Sequence, residues 1–408
     1  MDFELHARTE AGRRLVALAE GLAADFAPRA AEHDRDGSYP HEDVATLRES
    51  GYLAAPVPQE LGGMGVESVH DLLVASSRLS RGQPSVAIGA NMHWIPLVNM
   101  AHLWRAATID GNARRAGAYA RSLELIVREG TVIATAISEP GQDITRPATR
   151  ARRDGDGWTV SGRKIFCTMS PAASLLYAAV TFDDGGGERY GYAQIPAETP
   201  GVTIHDDWDA LGMRASGSGS VSFDDVHLPA EALGGGFPVG RAEDYMVRNL
   251  VAGALHAAAS LGIAEAAHGV AVDGLAARIA AAGAPPPRTQ ILAAESAIEL
   301  SAIRAVLQRA GALIDEHHLS GAAWADDGDG PAALFAEVQA AKTFANEAAV
   351  RVVDRALALS GGAGYMASHP LSRAYRDVRA GAFMHPLGAN RAYELIGEVA
   401  LGIEPALH

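Results

Sequence analysis

The sequence predicts a mainly α protein interrupted by one β domain, on three observations. Apolar residues recur at three-to-four spacing over the first 130 residues, the period of helices that bury one face. Residues 131–236 instead break into short runs separated by glycine and aspartate turns, the rhythm of strands. Beyond residue 236 long helical patterns return, joined by short breaks, as in a bundle. The domains expected are an N-terminal α-helical domain (1–130), a central antiparallel β domain (131–236) of barrel or sandwich type, and a C-terminal four-helix bundle (237–408).

The elements follow in order. ARTEAGRRLVALAEGLAADFAPRAAEHD carries the first helical period, and HEDVATLRESGYLAAPVPQELGG gives a shorter helix before a Pro/Gly turn. SVHDLLVASSRLSRG and PSVAIGANMHWIPLVNMAHLW supply two more. The strand candidates are TVIATAIS, DGWTVSGRKIFCT, LLYAAVTF, RYGYAQIPA, GVTIHDDW and GSVSFDDVHLP. Residues 243–283 read as one alanine-rich helical segment, broken by APPPR, and residues 288–318 as a second long helix. A loop is expected at 326–331. A third long helix then ends at Gly361-Gly362, a natural stop. No repeat of 20–50 residues and no low-complexity tail is present.

Composition narrows the function. The 408 residues are 48% hydrophobic and 20% charged, the balance of a soluble globular chain. A formal net charge of -15 excludes the basic stripe that a nucleic-acid or anionic-membrane surface requires. The single cysteine, Cys167, cannot form an internal disulfide and offers no metal-site spacing. His317-His318 reads as a helix-end pair, and no metal site is expected. No apolar stretch runs uninterrupted for the ~20 residues of a membrane span, and the start is acidic and helical rather than a signal peptide. A cytoplasmic protein is expected.

Four stretches then align: Ile137-Ser138-Glu139-Pro140-Gly141, Arg163-Lys164-Ile165-Phe166-Cys167-Thr168, Leu211-Gly212-Met213-Arg214, and SGGAGYMASHPLSRAYRD from Ser360 to Asp377. Their order and spacing resemble the acyl-CoA dehydrogenase superfamily over nearly the whole chain. The resemblance implies an acyl-CoA dehydrogenase-like fold, with a flavin between the β domain and the bundle of a homotetramer. A flavin ring needs hydrogen bonds at its pyrimidine edge and N5, and a flat apolar wall. By resemblance Ser138 serves the pyrimidine edge, Thr168 the N5 region and Phe166 the wall. The same three residues would equally suit strand-end caps and core packing. Gly361 and Gly362 match a segment where backbone approaches the cofactor of a neighbouring subunit, and they also suit a plain helix stop.

The pattern then departs from the dehydrogenases. Their catalytic carboxylate is expected about nine residues after the Arg-Asp pair, and the count from Arg376-Asp377 reaches His385. Contacts expected for the FAD tail are missing as well: Leu275 to Arg288 holds no Arg-x-x-Phe-Gly, Ala358 replaces a glutamine, and Leu387 and Ala389 replace Thr and Gln. EPGQDITRPATRA lacks the Gly-Ser expected beside the thioester and coenzyme A. The site pattern is similar to the superfamily's two-component monooxygenases, which use reduced flavin and O2. Histidine, with an ordinary pKa near ~6.5, suits proton exchange at neutral pH. The catalytic candidates are His385, His93 and Thr168. His93 alternatively reads as a core histidine held by a backbone carbonyl, and His385 as a structural residue before a proline turn. The substrate pocket is expected between the His93 helix, Met213-Arg214 and Phe383. The cofactor implied is FMN or FAD, supplied reduced by a separate NAD(P)H:flavin reductase, with a small organic molecule as substrate. A dehydrogenase with a non-standard base, and a catalytically silent binding subunit, are the alternatives.

Overall fold

A computed structural model describes residues 3–141, 143–283, 286–320 and 330–407. Most of the loop expected at 326–331, and residues 284–285 of the APPPR break, lie outside the described residues.

Five helices open the chain: α1 (Glu10–Asp36), α2 (His41–Glu49), α3 (Val69–Gly82), α4 (Pro84–Ile109) and α5 (Ala113–Arg128). The side chain of Thr9 caps α1 by accepting the Gly12 N–H, and Ser68 caps α3 by accepting that of Asp71. Each hydroxyl satisfies an amide that the first helical turn leaves open. Leu72, Leu73, Trp94 and Leu97 are buried where α3 and α4 join the main core.

Eight strands follow: β1 (Ile133–Ala136), β2 (Arg150–Asp154), β3 (Gly157–Lys164), β4 (Leu175–Asp183), β5 (Glu188–Pro196), β6 (Val202–Ile204), β7 (Val221–Leu228) and β8 (Leu233–Pro238). They form one sheet in the order β6-β7-β3-β2-β4-β5-β8, with β1 on β4. The sheet is mixed, where an antiparallel domain was expected. Both β1 and β2 run parallel to β4, β1 against Leu175–Ala178 and β2 against Thr181–Phe182. The two strands lie in tandem along one edge of β4, so the chain keeps its direction through the gap between them. Ser138 and Glu139 occupy that gap. Lys164 and Glu139 are buried together at 2.6 Å, and Lys164 Nζ also donates to the Ile137 carbonyl. That pair fixes the strand end beside Ser138.

The C-terminal part comprises α6 (Ala242–Arg248), α7 (Leu250–Ala282), α8 (Pro287–Ser320), α9 (Gly330–Ser360), α10 (Pro370–Asp377), a 3-10 stretch (Val378–Phe383) and α11 (Ala389–Ala400). The segment read as one helix from 243 to 283 is broken at Asn249, whose backbone is non-helical at φ -110, ψ 13. Three long helices, α7, α8 and α9, pack together, α11 lies on α9, and α3 packs on α7 and α8. The span Leu250–Ala280 is long and apolar enough to cross a membrane by length and composition. Its apolar side chains are instead largely buried, from Leu250 through Ala271.

Candidate functional site

Two of the sequence motifs form one unit. The Met213 N–H donates to the Asp377 carboxylate at 2.6 Å, and Arg376 reaches across to Asp34 on α1. Gly212 lies so close to this helix end that a Cβ there would stand 2.2 Å from the Arg376 carbonyl oxygen. The loop can approach only because residue 212 has no side chain. Burial pushes the Asp377 carboxyl up to about 6, against the lowering influence of Arg373, Arg376 and the Met213 amide. Arg214, expected in the substrate pocket, turns the other way. Its Nε donates to the Asp34 carbonyl at 2.7 Å and it does not line the cavity. Met213 does line it, at 2% exposure.

The Phe166–Thr168 loop is held by backbone bonds to two sides. Ile165 N–H donates to Ser138, Cys167 N–H to Gly219 and Met169 N–H to Ser216. Phe166 and Met169 sit at φ 55 and φ 72, left-handed values that cost a non-glycine residue about 1 kcal/mol each. The loop accepts this and turns Phe166 outward, with its ring edge-on to Trp208 at 6.0 Å. Thr168 Oγ1 lies 2.9 Å from Ser218 Oγ, which lies 2.6 Å from Ser216 Oγ. Three hydroxyls thus form a chain along one wall.

His385 lines the same cavity, joined to Pro386 by a cis peptide bond. Its Nε2 is 2.7 Å from Asn249 Oδ1. The Asn249 amide nitrogen donates to the Tyr245 carbonyl at 2.8 Å, which turns the amide oxygen toward His385. An amide oxygen only accepts, so uncharged His385 carries its proton on Nε2 and presents Nδ1 as an acceptor. That tautomer is assigned from the bonding pattern. The ring is enclosed by protein and reached from the cavity. Burial, then the nearby Lys342 ammonium, push His385 down to about 3. His256 on α7 lines the same cavity at 2% exposure. Its Nδ1 has no hydrogen-bond partner among the described residues. Burial, Lys342 and His385 also push it down to about 3. Both imidazoles are therefore uncharged at neutral pH, and the ordinary histidine pKa that motivated His385 as a proton carrier is lost to desolvation.

His93 does not join them. Fully buried, it accepts the Ile133 N–H on Nδ1 at 2.9 Å and ties α4 to β1. Neighbouring Met92 and Ile88 line the cavity instead. His93 is the core histidine, held at Nδ1 by the Ile133 amide.

The cavity measures about 520 Å³. It brings together Ser138, Phe166, Thr168, Met213, Phe383 and His385 from the expected set and adds His256, Trp208, Ser216 and Ser218. Among the described residues no carboxylate lines it. Phe383, 83% exposed, separates it from an adjoining cavity of about 680 Å³ whose wall includes Lys342, Asn346 and Arg379. Gly361 and Gly362 lie on the surface at the end of α9 and line neither cavity. The sequence signal for His256 was its isolation in LVAGALHAAASLGIA, a run with one other polar residue, Ser260.

These residues fit a flavin ring: an aromatic wall at Phe166 and Trp208, hydroxyl groups along one side, and the unpartnered Nδ1 of His256 nearby. The chain matches the acyl-CoA dehydrogenase N-terminal domain over residues 9–108, the middle domain over 134–226 and the C-terminal domain over 254–386. It belongs to the acyl-CoA dehydrogenase family of flavin-dependent oxidoreductases. Within it, the chain is 35% identical over 399 residues to the amino sugar nitrososynthase RubN8 of Streptomyces rubradiris, across 97% of this chain and 91% of that protein. It is 33% identical over 399 residues to L-evernosamine nitrososynthase of a Micromonospora species, across 97% and 92%. Among solved structures, KijD3 in complex with FMN and dTDP-3-amino-2,3,6-trideoxy-4-keto-3-methyl-D-glucose superposes with a TM-score of 0.89 at 32% identity, covering 100% of this chain and 98% of that one.

Proposed function

We propose that this protein transfers one oxygen atom from O2 to the amine nitrogen of a nucleotide-linked amino sugar, with reduced FMN as electron donor. The observation that carries the reading is the cavity wall, which has two uncharged imidazoles, five hydroxyls and no carboxylate among the described residues. Taking the α-proton of an acyl thioester requires a positioned base, and imidazoles held near a pKa of about 3 are too weak for it. Kinship with nitrososynthases, and the ligands of KijD3, support the substrate class and the cofactor.

Bound reduced flavin supplies the two electrons and the activation of O2. Phe166 and Trp208 would flank the ring, with Ser138 and Thr168 at its polar edges. The remaining chemistry belongs to the chain. An apolar cavity with Arg376 and Arg379 in its wall and Lys342 behind it disfavours a further cation, so the amino group is held as the free amine. That form keeps the lone pair that oxygen transfer needs. His385 Nδ1 and the side of the His256 imidazole that lines the cavity are acceptors that orient the amine N–H groups, and the Thr168–Ser218–Ser216 chain offers a route for the protons. Each round converts R–NH2, O2, two electrons and two protons into R–NHOH and water. A second round on the same nitrogen, with loss of another water, reaches the nitroso level. The reduced flavin is delivered by a separate NAD(P)H:flavin reductase, and Gly361 and Gly362 join a flavin site only in an oligomer, a homotetramer in this reading.

The test supplies chemically reduced FMN, air and the dTDP-amino sugar bound by KijD3, and follows the sugar by mass spectrometry. A product with one added oxygen is expected. Bleaching of bound flavin by an acyl thioester without oxygen uptake, and no oxidised sugar, would replace this reading with the dehydrogenase.

A further inference from the structure

The chain carries two lysines against 32 arginines, and both lysines are buried, Lys164 fully and Lys342 at 2% exposure. Cations that meet water here are arginines, and lysine is kept for two interior positions. Lys164 is paired with Glu139. Lys342 has no carboxylate at ion-pair distance among the described residues, and an unpaired buried cation needs a reason.

We propose that Lys342 is a positioning residue for His385, its ammonium bridging the carbonyls of Met384 and Leu387 on either side of His385-Pro386 and so fixing the imidazole at the cavity wall. The two bonds measure 2.5 and 2.6 Å. Carbonyl accounting explains the arrangement. The turn is too tight to pair its own backbone, and Pro386 has no N–H to offer. Side chains therefore supply the donors: Lys342 for residues 384 and 387, the Tyr245 hydroxyl for Pro386 at 3.3 Å, and the Asn346 amide for Gly381 at 2.9 Å. Lys342 and Asn346 stand one helical turn apart on α9 and face the same segment. A compact ammonium with three rotatable donors suits two converging carbonyls, whereas a planar guanidinium is built for a flat, forked acceptor.

The charge has a second effect. The ionisable groups around Lys342 are His256 from α7, His385 in the turn, and Glu347 on α9, which accepts the Tyr393 hydroxyl; Arg351, Arg376 and Arg379 lie across the adjoining cavity. An ammonium in this apolar interior disfavours a second positive charge on either imidazole. Burial holds Lys342 itself down to about 7. The clamp is independent of which substrate the cavity takes.

The experiment uses full-length protein labelled at lysine Nζ and at histidine Cε1. Two lysine signals exist, and Lys342→Arg assigns one of them. That signal is expected to be shielded from solvent exchange and to titrate near neutrality, rather than near the ~10.4 of free lysine. In Lys342→Met, the titrations of His256 and His385 should both rise by about one pH unit or more, while Lys342→Arg, which keeps the charge, leaves them low. A Lys342 signal that exchanges freely and titrates near 10 overturns the proposal, as does a folded Lys342→Met with both histidine titrations unchanged. Should that variant not fold, the lysine signal of the unaltered protein decides.

Discussion

Replacing Gly212 with alanine tests whether the loop at Leu211–Arg214 is seated on the end of α10 as described. The added methyl would lie 2.2 Å from the Arg376 oxygen, 2.3 Å from its carbonyl carbon and 2.7 Å from the Asp377 nitrogen. All three are backbone atoms, so no side chain can swing aside, and loop and helix must part by about 1 Å to restore van der Waals contact. Overpacking of this kind costs about 1–3 kcal/mol, and a backbone-only clash belongs at the upper end. With about 2.1 cal/mol/K of unfolding entropy per residue, 3 kcal/mol lowers the melting temperature of a chain this long by about 3–4 °C. The same shift pulls Met213 off the cavity wall, so reduced FMN should bind about tenfold more weakly, or about 1.4 kcal/mol. Gly111→Ala is the control: nothing stands within 4 Å of its Cβ, and its φ of +68 adds backbone strain alone, worth about 1–2 kcal/mol. Calorimetry and flavin titration read both variants. A Gly212→Ala protein that melts within a degree of the parent and binds flavin equally well would refute the seating.

Three further outcomes follow from the geometry. Asn249→Ala removes the acceptor that holds His385 Nε2–H, so amine oxidation should fall about tenfold or more with FMN affinity unchanged; an unchanged initial rate would detach His385 from the reaction. His93→Leu strips the Ile133 amide of its acceptor and should destabilise the fold by about 1–3 kcal/mol in urea titrations, yet leave turnover of the folded protein intact. Asp377 has a folded value raised to about 6 against ~3.9 when unfolded. The folded state therefore takes its proton first as pH falls, and stability relative to Asp377→Asn should drop by about 3 kcal/mol as pH rises from 4 to 6, then level off. Paired unfolding curves at pH 4, 5, 6 and 7 check the sign, and parallel curves would argue against a strained carboxylate.

The helical ends and the β middle were legible because period and punctuation are local properties of a sequence. The parallel seam was not. β1 reads as an ordinary strand, whereas the RARRD of β2 carries no alternating apolar signal and is not among the strand candidates. Their direction depends on both lying along the same edge of β4, which is set by the chain's path across the gap at Ser138. Site residues divided in the same way. Ser138, Phe166, Thr168, Met213 and His385 belong to stretches whose resemblance to the family implied a place at the flavin pocket. His93 and His256 look alike in sequence, each a lone imidazole in an apolar helix. What separates them is helix rotation and the free amide of Ile133, which claims the first and has no counterpart at the second. Arg214 looked available for a ligand until Asp34, 180 residues earlier, supplied its acceptor. Asn249, which sets the His385 tautomer, appeared in sequence as one polar residue inside a continuous helix. The near-neutral histidine chemistry expected from composition was overturned by burial, a quantity that no count of residues contains.

The account stands most directly on one measurement: turnover of the dTDP-amino sugar with reduced FMN under 18O2, comparing the parent protein with His385→Asn and His256→Asn. The account predicts one 18O atom on the amine nitrogen of the first product, and a large loss of that product in both variants with the fold and flavin binding retained. Flavin reoxidising at its free-solution rate with no label on nitrogen, or full activity in both variants, would contradict it.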